Sequence, residues 1–156
     1  MGLDMYLERM DQVGYTLEEM IGFREKLAGD RDADVPQEVL DTKKFGFYFN
    51  NPDSRIYESL GLWRDIYHIH GWFVQHVQNG VDDGKAYLVS KEQLEALLKD
   101  VTKVLALRES VSKQVFGVND PGRFFYQDLE HTKEELEGAL ETTDFNRQFL
   151  YYEGSR

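Results

Sequence analysis

Three of the four histidines in this chain fall within nine residues, in Tyr67-His68-Ile69-His70-Gly71-Trp72-Phe73-Val74-Gln75-His76. A metal centre is the first chemistry such a cluster suggests. The spacing argues against it. On a helix His68 and His70 point about 200° apart, whereas helical ligand pairs sit three or four residues apart. His68 and His76 are two turns apart, about 12 Å along the axis, too far for one ion. No metal and no other cofactor is expected.

His70 lies in an apolar stripe with Trp63, Tyr67, Phe73 and Val74. That position reads as a buried imidazole bonded to a carbonyl or carboxylate, or else as a pocket-lining base or ligand donor. On the same helical wheel Trp72 falls on the polar side, beside Arg64, Asp65, His68, Gln75 and His76. Either a second segment covers this face, the aromatic run at 45–49 or the one at 124–126, or the face is a recognition surface. In the second case Trp72 supplies an aromatic anchor and Arg64 a cationic fork, residue types enriched in binding hot spots. Arg64, His68, His70 and Trp72 are therefore the candidate residues for binding a ligand or partner.

Nothing in the chain names a nucleophile. There is no Cys, which removes thiol chemistry, Fe–S clusters, Cys-ligated zinc and disulfide scaffolds. The serines have no G-x-S-x-G context. Gly117-x-x-x-x-Gly122 continues into Arg123-Phe124 and not Gly-Lys-Ser/Thr, so it is no P-loop. No carboxylate pair sits in apolar surroundings that would raise a pKa for acid–base work, and Asp82-Asp83 reads as a solvated turn.

Charge narrows the partners. Eighteen Lys and Arg against 29 Asp and Glu give a formal charge of −11, so a phosphate backbone or an anionic membrane would repel the chain unless its cations clustered, and along the sequence they do not. Apolar residues at 41% suffice for a core, and 156 residues suit a single domain spanning the chain. Asp4 and Glu8 interrupt the apolar stretch that a signal peptide requires, and no run of 18 apolar residues occurs, so the expected location is the cytoplasm.

The elements that must position these residues are legible from period and capping. Leu3, Met5 and Leu7 alternate with polar neighbours and predict a strand. Thr16-x-x-Glu19 and Ser90-x-x-Gln93 are capping boxes, opening a helix over about 16–28 and another that carries Leu94, Leu97, Leu98, Val101, Val104 and Leu105. Residues 29–44 read as a solvated connection with one helical turn. The run 45–49 reads as a strand or packed loop, closed by the turn signal Asn50-Asn51-Pro52-Asp53. The longest helix is predicted over about 54–78, stopped by Asn79-Gly80. Residues 86–89 are a strand or loop, 112–125 a loop, and about 127–142 a last helix. The tail 147–152 has β character and could pair with the first strand. The fold class is α+β and mainly α, with about four helices and a small antiparallel sheet joining the two termini.

Several stretches resemble a family of small intracellular proteins of phages and prophages without an established biochemical function. They are the opening Met1-Gly2-Leu3-Asp4-Met5-Tyr6-Leu7, Trp63-Arg64 followed by Ile69-His70-x-Trp72-Phe73, Asn79-Gly80-x-Asp82-Asp83, Val89-Ser90-Lys91-Glu92-x-Leu94, Phe124-Phe125 and Thr142-x-Asp144-Phe145. The resemblance is weakest across 10–55. Members often read Tyr-Trp-Arg-Lys where this chain has Leu62-Trp63-Arg64-Asp65, and many end in Ser-Trp where this one ends Gly154-Ser155-Arg156. The resemblance implies a phage-associated accessory role in the host cytoplasm and transfers no catalytic residue.

The function expected from these observations is non-enzymatic: binding of a host or phage protein through an acidic surface and an aromatic patch. A counter-defence inhibitor imitating nucleic acid is one form of that role. The rival is a pocket for a small molecule or nucleotide, binding or hydrolytic, around Arg64, His70 and Trp72. Neither reading involves direct nucleic-acid binding or a membrane.

Overall fold

The computed structural model describes residues 2–48, 51–119 and 121–155. Met1 of the opening motif, Phe49 of the aromatic run, Asn50 of the turn signal, Asp120 of the 112–125 loop and the terminal Arg156 lie outside the described residues.

The alternating Leu3–Leu7 stretch forms β1 (Asp4–Asp11), and the tail forms β6 (Gln148–Ser155). These strands lie side by side and antiparallel, in register from Asp4↔Ser155 to Asp11↔Gln148, which is the expected pairing of the two chain ends. β4 (Glu58–Arg64) pairs with the free side of β1 and β5 (Ala86–Leu88) with that of β6, giving the order β4-β1-β6-β5. β2 (Lys44–Tyr48) and β3 (Asn51–Arg55) form a separate antiparallel hairpin.

Both faces of the sheet are covered. Leu3, Met5, Leu7, Trp63, Leu150 and Tyr152 pack in one cluster with buried residues of α3 (Tyr67–His76), α4 (Lys91–Leu107) and α6 (Phe125–Thr142). Met10 and Tyr151 pack in a second cluster with Met20 of α1 (Leu17–Gly29), Val39 of α2 (Gln37–Leu40) and Ile56. This double cover is why the alternation of β1 fades after Leu7: Glu8, Arg9 and Met10 are all buried. Both capping boxes are formed, with Thr16 Oγ1 accepting from the Glu19 N–H at 3.1 Å and Ser90 Oγ from the Gln93 N–H at 3.0 Å.

Two expectations need correction. Residues 54–78 are not one helix; they contain the end of β3, all of β4 and only the ten residues of α3. In β4 the alternation is hidden because its buried positions are Gly61 and Trp63 while Leu62 and Arg64 are exposed. Gly61 is required there, since a Cβ would lie 2.6 Å from the Trp63 ring folded over it. Asp65, at φ 58, then ends the strand: its N–H donates to the Leu3 carbonyl at 2.8 Å and its carboxylate accepts from the Leu3 N–H at 2.7 Å. The second correction is the helix count. Six helices occur among the described residues, because α2 is a single turn and α5 (Glu109–Phe116) extends to Phe116 into the stretch read as a loop from 112. Among the described residues no helix is long and apolar enough to cross a membrane.

Candidate interaction surface

The four candidate residues sit in four different surroundings. Arg64, on β4, is exposed and donates from Nε to Asp4 Oδ1 at 2.8 Å. His68 lies between the rings of Phe125 and Phe116, with centroids 4.6 and 5.7 Å away, and its Nε2 has no hydrogen-bond partner. Burial pushes its pKa down to about 4, because no neighbouring charge compensates an imidazolium there. Trp72 is buried, with Nε1 donating to Asp100 Oδ2 at 2.8 Å and its ring stacked on His76 at 4.4 Å. The second face of α3 is therefore covered by Asp100 of α4, which bonds Trp72, and by Phe125 of the 124–126 run, which lies against His68. It is not covered by the 45–49 run, whose Phe45 and Phe47 are exposed.

His70 is buried and bonded at both ring nitrogens, Nδ1 to the Tyr152 hydroxyl at 2.7 Å and Nε2 to Asp82 Oδ1 at 3.0 Å. Tyr152 stacks on Phe73 with centroids 3.8 Å apart, and its phenol is pushed up by burial and by the Asp82 charge. Gly154 closes the arrangement, since a Cβ there would lie 2.6 Å from the His70 ring. The chain Asp82–His70–Tyr152 thus ties the 79–84 turn and α3 to β6. With the phenol held in its protonated form and the imidazole walled by Gly154, it positions elements and presents no nucleophile.

Exposed aromatic surface occurs on the hairpin instead. Phe45 and Phe47 alternate with Lys44 and Gly46, so both rings leave the same face of β2, 73% and 70% exposed for Phe47 and Phe45, with centroids 5.7 Å apart. Their cross-strand neighbours, Ser54 and Pro52, are too small to cover them. Lys44 points the other way and anchors the hairpin to the sheet, with Nζ 2.7 Å from Asp11 Oδ1 and 3.2 Å from Glu58 Oε1.

The acidic charge has a concentrated region too. Glu130, Glu134, Glu137 and Glu141 recur at helical spacing along α6 and are all exposed, one row of carboxylates with successive members roughly 5–6 Å apart. Each such like-charge pair costs the helix roughly 0.2–0.5 kcal/mol.

No protein-family model, no curated protein and no solved structure matches the chain. In the sequence the 45–49 run is visible as strand-forming, but its aromatic residues look like cover for Trp72. Their exposure follows from Ser54 and Pro52 lying opposite, a pairing that no local pattern announces. The spacing of the α6 glutamates was readable, given the helix.

Proposed function

We propose that this is a non-enzymatic, phage-associated accessory protein that binds a basic host protein, with Phe45 and Phe47 as aromatic anchors and the acidic surface, including the α6 row, as electrostatic guide. The observation that carries the reading is the pair of exposed rings on one face of the hairpin. Burying a Phe side chain is worth about 1.5–3 kcal/mol, so leaving two adjacent ones in water forfeits a gain that folding normally takes. A chain of charge −11 selects cationic surfaces at long range, and aromatic anchors supply short-range affinity. The phage association rests on the sequence resemblance.

The test is a photo-crosslinking amino acid placed at 45 or 47, with position 103 on α4 as control, in cells of the host. A defined heteromeric adduct from 45 and 47 alone, lost when the four α6 glutamates become glutamine, is the expected outcome. No adduct, or an adduct with a second copy of the same chain only, would overturn the reading.

A further inference from the structure

Between α1, the end of the 29–44 connection and the outer side of β3 lies a cleft of about 430 Å³, within the range of small-ligand sites. Its lining gathers cations in a protein that is otherwise strongly acidic. Arg24, Arg31, Lys43 and Arg55 all reach it, and Asp53 is the one carboxylate among its described lining residues. These cations are far apart in sequence and come from separate elements, so no basic cluster appears along the chain.

Their roles differ. Arg24 is held from behind, donating to Glu8 Oε1 at 3.0 Å and to Glu153 Oε1 at 3.2 Å, so its charge is balanced inside the fold and it forms a fixed back wall. Arg31 and Arg55 converge on Asp53, at 3.5 Å from Oδ1 and 3.0 Å from Oδ2 respectively. Together with the Ser54 N–H at 2.8 Å, Arg55 holds the Asp53 carboxyl below its ordinary pKa. Lys43 has no acidic partner among the described residues. Apart from the balanced Arg24, the described lining thus holds three cations, Arg31, Lys43 and Arg55, and one carboxylate, Asp53. A phosphate monoester carries −1.5 to −2 near pH 7 and has three acceptor oxygens for guanidinium and ammonium donors. Leu27, Ala28 and Ile56 add apolar surface to the lining, and the Tyr57 ring lies next to Arg55, whose Nη1 donates to the Tyr57 hydroxyl at 2.6 Å with the guanidinium 5.8 Å from the ring centroid.

We propose that this cleft binds a nucleoside monophosphate, with Arg31, Lys43 and Arg55 on the phosphate and Tyr57 beside the base. This site is separate from the rings of Phe45 and Phe47 and does not depend on the protein-binding role. Asp53 occupies part of the anion's place in the free protein, competing for Arg31 and Arg55. That competition gives the proposal an unusual signature: removing this acidic group should strengthen binding, whereas removing a cation should weaken it.

The experiment is calorimetric titration of the full chain with nucleoside 5′-monophosphates, the parent nucleosides and inorganic phosphate. The proteins are wild type, Lys43→Gln, Arg31→Gln, Asp53→Asn and the control Lys103→Gln on the exposed side of α4, each first shown to melt like wild type. Saturable binding of at least one monophosphate is expected, about tenfold tighter than its nucleoside or free phosphate. Lys43→Gln and Arg31→Gln should each weaken it about fivefold or more, Asp53→Asn should tighten it, and Lys103→Gln should leave it unchanged. Absence of saturable monophosphate binding at millimolar concentration would overturn the proposal. So would inorganic phosphate binding as tightly as the monophosphates, or Asp53→Asn weakening the complex.

Discussion

The β2–β3 hairpin and the four-stranded sheet are built from similar residues in the same antiparallel manner, yet they treat their aromatic side chains in opposite ways. β6 buries Leu150, Tyr151 and Tyr152 in succession because helices cover both faces of the sheet, while β2 leaves Phe45 and Phe47 in water because no described element lies over that face of the hairpin. Strand propensity is shared by the two regions; the covering layers are not. The sheet therefore carries stability, and the hairpin is free to carry recognition.

The sharpest way to break this comparison is at Trp63, fully buried on β4 with Nε1 donating to Thr132 Oγ1 of α6 at 3.0 Å. Trp63→Ala should cost about 3–5 kcal/mol in urea unfolding, the scale of a core aromatic truncation. A loss below about 1 kcal/mol would show that β4 is not locked onto α6.

A second measurement probes the same packed side through acid. The His68 pKa lies near 6.5 in the unfolded chain and about 4 in the fold, so between those values the unfolded state binds the extra proton. Stability should be full above pH 6.5 and fall as pH drops towards 4, by up to about 3 kcal/mol. His68→Leu should remove that portion of the acid slope, read from unfolding curves at pH 7 and pH 4.5. An unchanged slope would place the His68 ring in contact with water.

The smallest effect belongs to the hairpin. Phe45→Ser and Phe47→Ser should each change unfolding free energy by no more than about 0.5 kcal/mol, as surface substitutions do. A loss above about 2 kcal/mol from either would mean that the ring is packed, and the contrast between the two regions would disappear.

What was readable from the sequence was whatever local chemistry decides: the capping boxes at Thr16 and Ser90, the strand at Leu3–Leu7, the stop at Asn79-Gly80, and the pairing of the chain ends. Helical spacing misled across 54–78, where Ile56, Leu60, Trp63 and Tyr67 coincide with a 3.6-residue period although pairing with β1 decides the structure. α5 escaped because its eight residues include two serines and two valines and lack a side-chain cap. At the candidate sites, the His70 environment was legible as a buried, bonded imidazole. The Asp100 cover of Trp72 and the meeting of Arg31, Lys43 and Arg55 were not, since each depends on elements brought together only by the tertiary fold.

The neighbouring positions of β1 and β6 also govern the order of events during synthesis. Tyr151, whose hydroxyl donates to Glu8 at 2.8 Å, follows it by 143 residues. At the pace of translation the strand made first waits on the order of ten seconds for this partner. α4 (Lys91–Leu107) can form within microseconds of emerging and is available seconds before β6, whereas α6 ends at Thr142, immediately ahead of that strand. Throughout that interval Leu3, Met5 and Leu7 belong to a strand whose β6 edge is open to other chains. A strand that ends up at the centre of the finished sheet thus spends the longest part of synthesis as an edge.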